Sequence, residues 1–568
     1  MVSLSRLRRA ATALLVMGTL LALIMPAAAD ARPASAACLG TASQKVDVAF
    51  AGSTGRAAAA EKACAKKPNI LVVMTDDQAL ADVKYMPNVR KLLAQKGTQF
   101  TNAIDSFPLC CPARATFITG QYAHNHGVVG NFWPYGWYGM KDRGNILPAW
   151  LQKSGYTTAL IGKWLNGYGS LDEHGEIPKG FDTWRGLLDV SAYDYYNYVM
   201  NQDGKLRTWG DADFARNLVK MAYLQVKPGF PRPGLTDVLG LANTLFKPGY
   251  WGTEEEKNYS PDVTGTVTEG LIKDQAKAKK PFFVWWAPSA SHREDVATTV
   301  LGRPGRDPRP PKRYEELVKK YQLPKPPSFN EADMSGKAKK LGQTLPLLTQ
   351  AKQDQLQLDY EGRIGSLLAV DDHVAKMVKL LKKTNQMKNT VIVFVSDNGW
   401  LQGEHRVPGD KFLPYEESLK VPFILAGPGV PVDRTVNMQV SNVDFAATLL
   451  QIAGAKAGRT QDGIPLIPVA RNEKKTAPRA LGIEAPSPLF LNDTLPQQWD
   501  QPYTGVRTAD WKFVEWKTGE TELYDLKKDP YEINNVVGDP ANAAIKARLQ
   551  GRMKKLTSCK GKSCTMKP

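Results

Sequence analysis

The stretch NILVVMTDDQ, residues 69–78, is an unbroken apolar run that ends in two adjacent acids. A strand with one face in water alternates apolar and polar residues. This one does not, so both of its faces are predicted to be buried, as in the interior of a parallel sheet. Four more stretches share the texture: TTALIG at 157–162, PFFVWWA at 281–287, TVIVFVSDNG at 390–399 and VPFILAGPG at 421–429. Helical patterns lie between them. SLLAVDDHVAKMVKLLKK, 366–383, sets Leu367, Val370, Val374, Met377, Val378 and Leu381 on one face and leaves Asp372 and His373 off it, as solvated residues. Strands alternating with helices predict an α/β sandwich.

Near residue 475 the texture changes. YTGVRTADWKFVEWKTGETELYDL, 503–526, has short alternating strands around a Thr-Gly turn and predicts a small antiparallel sheet, with a final helix over 541–556 packed on it. Residues 205–280 read as an insertion with little strand character. Residues 303–330, rich in proline and base, read as a surface excursion.

The first residues read as an export signal. Arg6, Arg8 and Arg9 precede an apolar run from Ala10 to Met25, and PAAAD offers small residues for cleavage near Ala29. A membrane anchor is the alternative, but the run is short and contains Gly18 and Thr19. The chain is therefore expected to be secreted or extracytoplasmic, without stable membrane association. The Arg8-Arg9 pair is weak evidence for a twin-arginine signal, and SAAC ending at Cys38 lacks the leucine of a lipidation site. An Ala/Gly-rich leader follows the signal (1–29) over residues 30–67.

The formal charge is +18; removing residues 1–29 deletes three arginines and no acid, which leaves +15. Such a chain attracts anions. It has no aromatic-studded basic motif and no helix-turn-helix pattern, so nucleic acid is not the expected partner. A polyanionic glycan or a small anionic ester fits the charge. The six cysteines stand at 38, 64, 110, 111, 559 and 564. Cys559 and Cys564 can close a small loop in a lysine-rich tail, and Cys38 and Cys64 another; the sequence leaves the pairing open. Pairing at both ends would leave Cys110 and Cys111 free in SFPLCCPARATFITG, 106–120, which reads as an exposed loop. A vicinal disulfide is the alternative.

Each apolar strand ends in a polar cluster: Asp76 and Asp77 after the first, Lys163 after the second, His292 just beyond PFFVWWA, and Asp397 and Asn398 after VIVFVS. Ligands of open α/β sheets bind outside the carboxyl ends of the strands, so these groups can converge. Three carboxylates and an amide oxygen form a hard-oxygen set that suits Ca²⁺ or Mg²⁺ and not zinc. Any one acid alone could be a helix cap or a turn. Two acidic pairs at the ends of two buried strands make that reading the weaker one.

The pattern Cys110-x-Pro112-x-Arg114, with Thr119-Gly120, resembles the signature of the type I sulfatases of the alkaline phosphatase superfamily. TDD at 75–77 and SDNG at 396–399 keep the family's order, and ELYDLKKDPYEINNV at 522–536 looks like its C-terminal subdomain. The resemblance runs from residue 68 to residue 556. It implies a large mixed, mostly parallel central sheet flanked by helices, with a smaller C-terminal antiparallel-sheet-plus-helix subdomain. The catalytic domain would cover 68–475 and the subdomain 476–556, with a basic Cys-containing tail at 557–568.

It further implies that a separate formylglycine-generating enzyme oxidises Cys110 to formylglycine, and that Cys111 fills a variable position. Asp76, Asp77, Asp397 and Asn398 would bind a divalent cation beside residue 110, calcium in most of the family, with Mg²⁺ or Mn²⁺ as alternatives. Arg114 would steady the hydrated aldehyde, Lys163 and Lys411 would hold the sulfate oxygens, and His292 would stand near the leaving oxygen. A hydrated aldehyde has two hydroxyls on one carbon. One can attack sulfur and the other can release sulfate, whereas a serine or cysteine would be left as a stable ester.

Many sulfatases carry a histidine two residues after the lysine of "GKW". Here GKWLNGYG, 162–169, has Leu165 there and Asn166 next. This variant, and QYAHNHGVVGN at 121–131, resemble the N-acetylglucosamine-6-sulfatase and extracellular glucosamine endosulfatase branch. His124 or His126 is then a candidate base for sulfate release, or else a loop stabiliser, and His405 either lines the pocket or is structural. The expected activity is hydrolysis of sulfate monoesters on a sulfated small molecule or glycan. The alternatives are a phosphonate or phosphodiester hydrolase of the same superfamily and a noncatalytic binder of sulfated glycans.

Overall fold

The computed structural model describes residues 67–131, 134–169, 175–189, 191–210, 255–278, 280–294, 307–472, 478–486 and 501–568. The signal peptide, most of the leader, Cys38 and Cys64 lie outside them, as does the division at 475.

Ten strands form one sheet. They are β1 (Asn69–Thr75), β2 (Gly97–Phe100), β3 (Thr157–Lys163), β4 (Thr183–Leu187), β5 (Val199–Gln202), β6 (Lys205–Thr208), β7 (Phe282–Ala287), β8 (Thr390–Ser396), β9 (Phe423–Ala426) and β10 (Arg434–Val436), in the order β10-β2-β9-β8-β1-β7-β3-β4-β5-β6. The strands β8-β1-β7-β3-β4 at its centre are parallel. β9 runs antiparallel to both β8 and β2, and β5 and β6 close the other edge antiparallel. Every residue of β1, β8 and β9 is buried, so burial and not strand direction sets the unbroken apolar texture.

Alternation along β7 shows both faces covered. Trp286 donates its indole N–H to Thr264 of α2 (Ser260–Gln275), while Trp285 lies 4.9 Å from the Phe117 ring of α1 (Cys110–Thr119). On the Trp286 face, Leu71, Val73, Val284, Ile392 and Phe394 pack against Ile364, Leu367, Val370, Val374, Met377 and Leu381 of α3 (Gln350–Lys383). α3 is 34 residues long, far longer than the predicted 366–383. On the other face Phe117 meets Phe445 of α4 (Val443–Ala453).

Register fixes where the polar clusters leave the sheet. Thr75 pairs with Ser396, so Asp76-Asp77 and Asp397-Asn398 emerge side by side. Gly162 pairs with Ala287, and a Cβ there would stand 2.1 Å from the Ala287 carbonyl oxygen. Glycine therefore lets Lys163 come level with the end of β7.

β11 (Leu481–Ala485), β12 (Tyr503–Arg507), β13 (Trp511–Trp516) and β14 (Thr521–Asp525) form a four-stranded antiparallel sheet. α5 (Ala543–Leu556) buries Leu549, Met553 and Leu556 against its Val506, Phe513 and Leu523. Cys559 and Cys564 form a disulfide, and Cys110 and Cys111 are free thiols, which excludes the vicinal bridge.

Three expectations change. Residues 205–280 supply strand β6 and helix α2, with 211–254 outside the described residues. Within 303–330, Lys312–Val318 is a helix, and Arg313 pairs with Asp262 on α2. His373 is not solvated. Its ring is buried between α3 and α2, with Nδ1 2.6 Å from Glu269 and Nε2 3.0 Å from Asp262, because α2 covers the side of α3 that the apolar pattern leaves open.

Burial disfavours charge on His373, but the hydrogen bonds to Asp262 and Glu269 outweigh it and raise its pKa above 6.5. The folded state thus holds the proton more tightly than the unfolded chain does. Its contribution is complete below pH 6.5 and fades as pH rises through the raised value. His373→Leu is expected to lower the melting temperature by several degrees near pH 5.5 and clearly less near pH 9. An equal loss at both would show that the ring acts by packing alone.

Candidate active site

SFPLCCPARATFITG is not an exposed loop. Cys110–Thr119 is helix α1, and all ten of its residues are buried. Leu109 enters in extended conformation, Pro112 sits in the first turn, where its missing N–H costs nothing, and Gly120 ends the helix at φ 67. Apolar, small and polar residues are mixed along it with no separate polar face, because the helix is covered all round. Cys110 is its first residue, at the positive end of the helix dipole.

Ligand atoms of Asp76, Asp77, Cys110 and His292 all lie within 4.8 Å of one another, and all four residues are buried. Lys411 Nζ stands 3.0 Å from Cys110 Sγ and 2.5 Å from Asp77 Oδ1. Lys163 Nζ stands 2.5 Å from Asp76 Oδ2. Arg114 donates from Nε to Asp397 Oδ2 at 2.8 Å and from Nη1 to the Lys163 carbonyl at 2.8 Å. Asp397 Oδ1 accepts the N–H groups of Asp77 and Asn398, and Asn398 Nδ2 donates to Asp77 Oδ1 at 2.7 Å. Asp397 and Asn398 thus join the cluster through Arg114 and Asp77. His292 donates from Nδ1 to the Arg293 carbonyl at 2.7 Å, which leaves Nε2 unprotonated, 3.4 Å from Asp77 Oδ2.

Burial would raise the pKa of Asp76, yet Lys163 and Arg114 hold it well below the usual carboxylate range. Asp77 is lowered in the same way, burial being overcome by Lys411 and His292. Asp397 goes the other way: burial and the neighbouring Asp76 charge push it up to about 6 despite Arg114. Burial takes His292 down to about 4, so it is neutral at pH 7. Burial also pushes the Cys110 thiol up to about 12, against the pull of the two lysines. A plain thiol here is not a thiolate at neutral pH and is a poor nucleophile. Asp77 Oδ2 and Asn398 Oδ1 are buried and accept no hydrogen bond. One unspent carboxylate oxygen and one unspent amide oxygen beside the cluster of Asp76, Asp77 and Cys110 fit a hard divalent cation.

The other candidate histidines, His124, His126 and His405, are not part of this cluster. His124 places Nδ1 2.7 Å from Glu484 and Nε2 2.9 Å from the Cys559 carbonyl, tying the tail to the helical turn at 123–126. His126 contacts Thr116 Oγ1 through Nε2 at 3.1 Å and accepts the Val128 N–H through Nδ1; burial takes it down to about 3. His405 is buried, with Nδ1 2.6 Å from Glu331 and its ring against Tyr415. Both ring nitrogens of His124 and of His126 are engaged in these contacts, which matches the loop-stabilising alternative. Sequence reasoning missed Tyr193, whose ring lies 4.5 Å from Lys163 Nζ and 4.3 Å from the His292 ring. Nothing in the spacing of SAYDYY marks it.

The sequence model of the family described as Sulfatase matches residues 68–455, and that of the N-sulphoglucosamine sulphohydrolase C-terminal region matches 403–559. An arylsulfatase of Volvox carteri is 30% identical, over 90% of this chain and 78% of that protein. A human N-acetylglucosamine-6-sulfatase is 29% identical, over 88% of this chain and 86% of that protein. Among solved structures, one in complex with its substrate D-glucosamine-2-N,6-O-disulfate aligns at a TM-score of 0.64 and 22% identity, covering 86% of this chain and 97% of that one. The phosphonate monoester hydrolase of Agrobacterium radiobacter aligns at 0.57 and 20% identity, covering 86% and 95%. These two share the fold.

Arg114 is fully buried, so its loss strands the buried Asp397 charge and leaves Asp76 to Lys163 alone. Arg114→Ala is expected to cost about 3–5 kcal/mol of stability at pH 7, measured by chemical denaturation. A loss under about 1 kcal/mol would mean that other groups neutralise the two carboxylates.

Proposed function

The chain belongs to the sulfatase family, and we propose that it removes sulfate from a sulfated carbohydrate with a formylglycine made from Cys110 and a bound divalent cation. Family membership makes it a sulfuric ester hydrolase. Calcium is the proposed cation, ahead of Mg²⁺ or Mn²⁺, since carboxylate and amide oxygens are its ligands of choice. The observation that carries the reading is the setting of Cys110. Its thiol stays protonated and is a poor nucleophile, yet Lys411, Lys163 and Asp76 are built around it. An oxidised residue 110 resolves that contradiction.

When present, the two groups supply a pair of hydroxyls on one carbon and a positive charge beside them. The side chains do the rest. Asp76, Asp77, Asp397 and Asn398 hold the cation. Arg114, fixed by Asp397 and the Lys163 carbonyl, steadies residue 110. Lys163 and Lys411 hold the sulfate oxygens and neutralise charge that builds on the transferred group; losing one such contact costs on the order of 10²–10³ in rate. His292, its ring pinned by the Arg293 carbonyl, places Nε2 near the leaving oxygen, to which it gives a proton only after Nε2 has itself taken one up.

Support for a carbohydrate comes from the N-acetylglucosamine-6-sulfatase relatives and from the net charge, +18 for the whole chain and +15 without residues 1–29. The proposed organisation keeps a signal peptide at 1–29, a leader at 30–67, a catalytic domain at 68–475, a subdomain at 476–556 and a tail at 557–568. Maturation would require a formylglycine-generating enzyme and export. No helix among the described residues is long and apolar enough to cross a membrane. The likeness in fold to a phosphonate monoester hydrolase keeps one rival in view, because sulfate monoesters and phosphodiesters each carry one negative charge at the reacting centre. Paired aryl sulfate and aryl phosphodiester substrates separate the two, and a large phosphodiester preference would overturn the sulfatase assignment.

Protein made with a formylglycine-generating enzyme is expected to yield a 106–120 peptide carrying the lighter aldehyde; an intact Cys110 thiol in active protein would refute the reading. Cys110→Ala is expected to melt like wild type and to turn over below about a thousandth of its rate. Asp397→Ala is expected to lose bound metal along with activity, as read by elemental analysis. Unchanged metal content would remove Asp397 from the ligand set.

A further inference from the structure

We propose that Tyr193 is a positioning residue: its ring sets where Lys163 and His292 stand relative to each other. The inference rests on the reading above, in which those two groups face the sulfate and the leaving oxygen. Tyr193 ends the helical turn Ser191–Tyr193 that follows β4, and it is buried. Its ring centroid is 4.5 Å from Lys163 Nζ and 4.3 Å from the His292 ring centroid, with the two rings tilted by 38°.

The ring is fixed from behind. Its phenol oxygen accepts a hydrogen bond from Asn166 Nδ2 at 2.5 Å, and the Asn166 carbonyl is itself held by the Trp137 N–H at 2.8 Å. Asn166 and Lys163 stand three residues apart, on the end of β3 and the turn after it, so one short segment carries both the lysine and the anchor of its aromatic neighbour. The segment that carries Tyr193 also grips the His292 loop by its backbone. Tyr195 donates its phenol O–H to the His292 carbonyl at 3.1 Å, and its N–H to Glu294 at 2.8 Å. Ser289 donates its hydroxyl to the Ala192 carbonyl.

The physical need is clear from Lys163. Its side chain is long and flexible, and its ammonium has one close carboxylate, Asp76. A second carboxylate would hold it as well but would compete with an anionic substrate. An aromatic face attracts the ammonium through the ring quadrupole and carries no net charge, so it positions the cation without opposing sulfate. The same ring, packed against the His292 ring at a 38° tilt, limits its rotation, and His292 Nδ1 is already spent on the Arg293 carbonyl. One rigid side chain with two torsions thus orders two groups in advance of substrate.

Tyr193→Leu and Tyr193→Phe test this in mature protein, with conversion of residue 110 checked by mass and folding by melting temperature. Tyr193→Leu is expected to lower kcat about tenfold or more while KM moves by less than about threefold, and Tyr193→Phe to keep kcat within about threefold of wild type. Where Tyr193→Leu does not fold, Tyr193→Met removes the ring with less loss of volume. A second readout does not depend on turnover. Acylation of Lys163 by a small amine-reactive acyl donor such as acetic anhydride, followed by peptide mass, is expected to be several-fold faster in Tyr193→Leu and unchanged in Tyr193→Phe, with exposed lysines as the internal standard. Wild-type kcat in Tyr193→Leu, or Lys163 labelling that does not change, would overturn the proposal. Equal loss in both variants would also overturn it, since the hydroxyl and not the ring would then be acting. Wild-type protein that hydrolyses no sulfate ester would defeat the functional reading alone, and the labelling would still decide whether the ring shields Lys163.

Discussion

Asp76 and Asp397 share one guanidinium. They follow Thr75 and Ser396, which pair at the ends of neighbouring parallel strands, and Arg114 reaches both of them from the first turns of α1. This three-way contact joins three segments far apart in the chain at a fully buried place. Two carboxylates that close in a buried site cannot both stay ionised without a counter-charge. Arg114 supplies it, and by donating to the Lys163 carbonyl it also fixes the end of β3. The positions of β1, β8, β3 and α1 at this edge are therefore one electrostatic problem with one solution.

Lys163 and Lys411 complete the balance from opposite sides, each against one of the paired aspartates. The network is close to neutral, which is why burial can be complete. It also explains why Cys110 is an idle thiol: burial works against its ionisation, and the lysines around it are already matched to carboxylates. On the proposed reading, the same positive groups serve a sulfate once a cation shares the aspartates. A stable resting arrangement and a charge-stabilising site are then two uses of the same side chains.

Much of the fold could be read from the chain. The apolar runs at 69, 157, 281 and 390 became central strands because burial on both faces removes alternation, and that signal is strong. The direction of β9 was not legible, since an antiparallel strand buried on both faces has the same texture. The helix at 110–119 was hidden for a related reason: covered all round, it has no polar face and so no period. His373 was misjudged because helix periodicity reports the face toward the sheet and says nothing of a second helix on the flank. Within the candidate site, the acids, lysines and His292 were visible at strand ends and in short motifs. Tyr193 was not, because a ring that works by its face leaves no spacing in the sequence. His124 and His126 carried a chemical suggestion that the folded chain spends on holding the tail and the turn instead.

The measurement that bears most directly on the central claim is a crystal structure of the mature protein, with anomalous scattering used to place the metal. The expected result is one cation bound by Asp76, Asp77, Asp397 and Asn398, with an oxygen of a converted residue 110 turned toward it between Lys163 and Lys411. A cation bound elsewhere, or a Cys110 sulfur still in place beside an empty set of carboxylates in protein that is fully active, would contradict it.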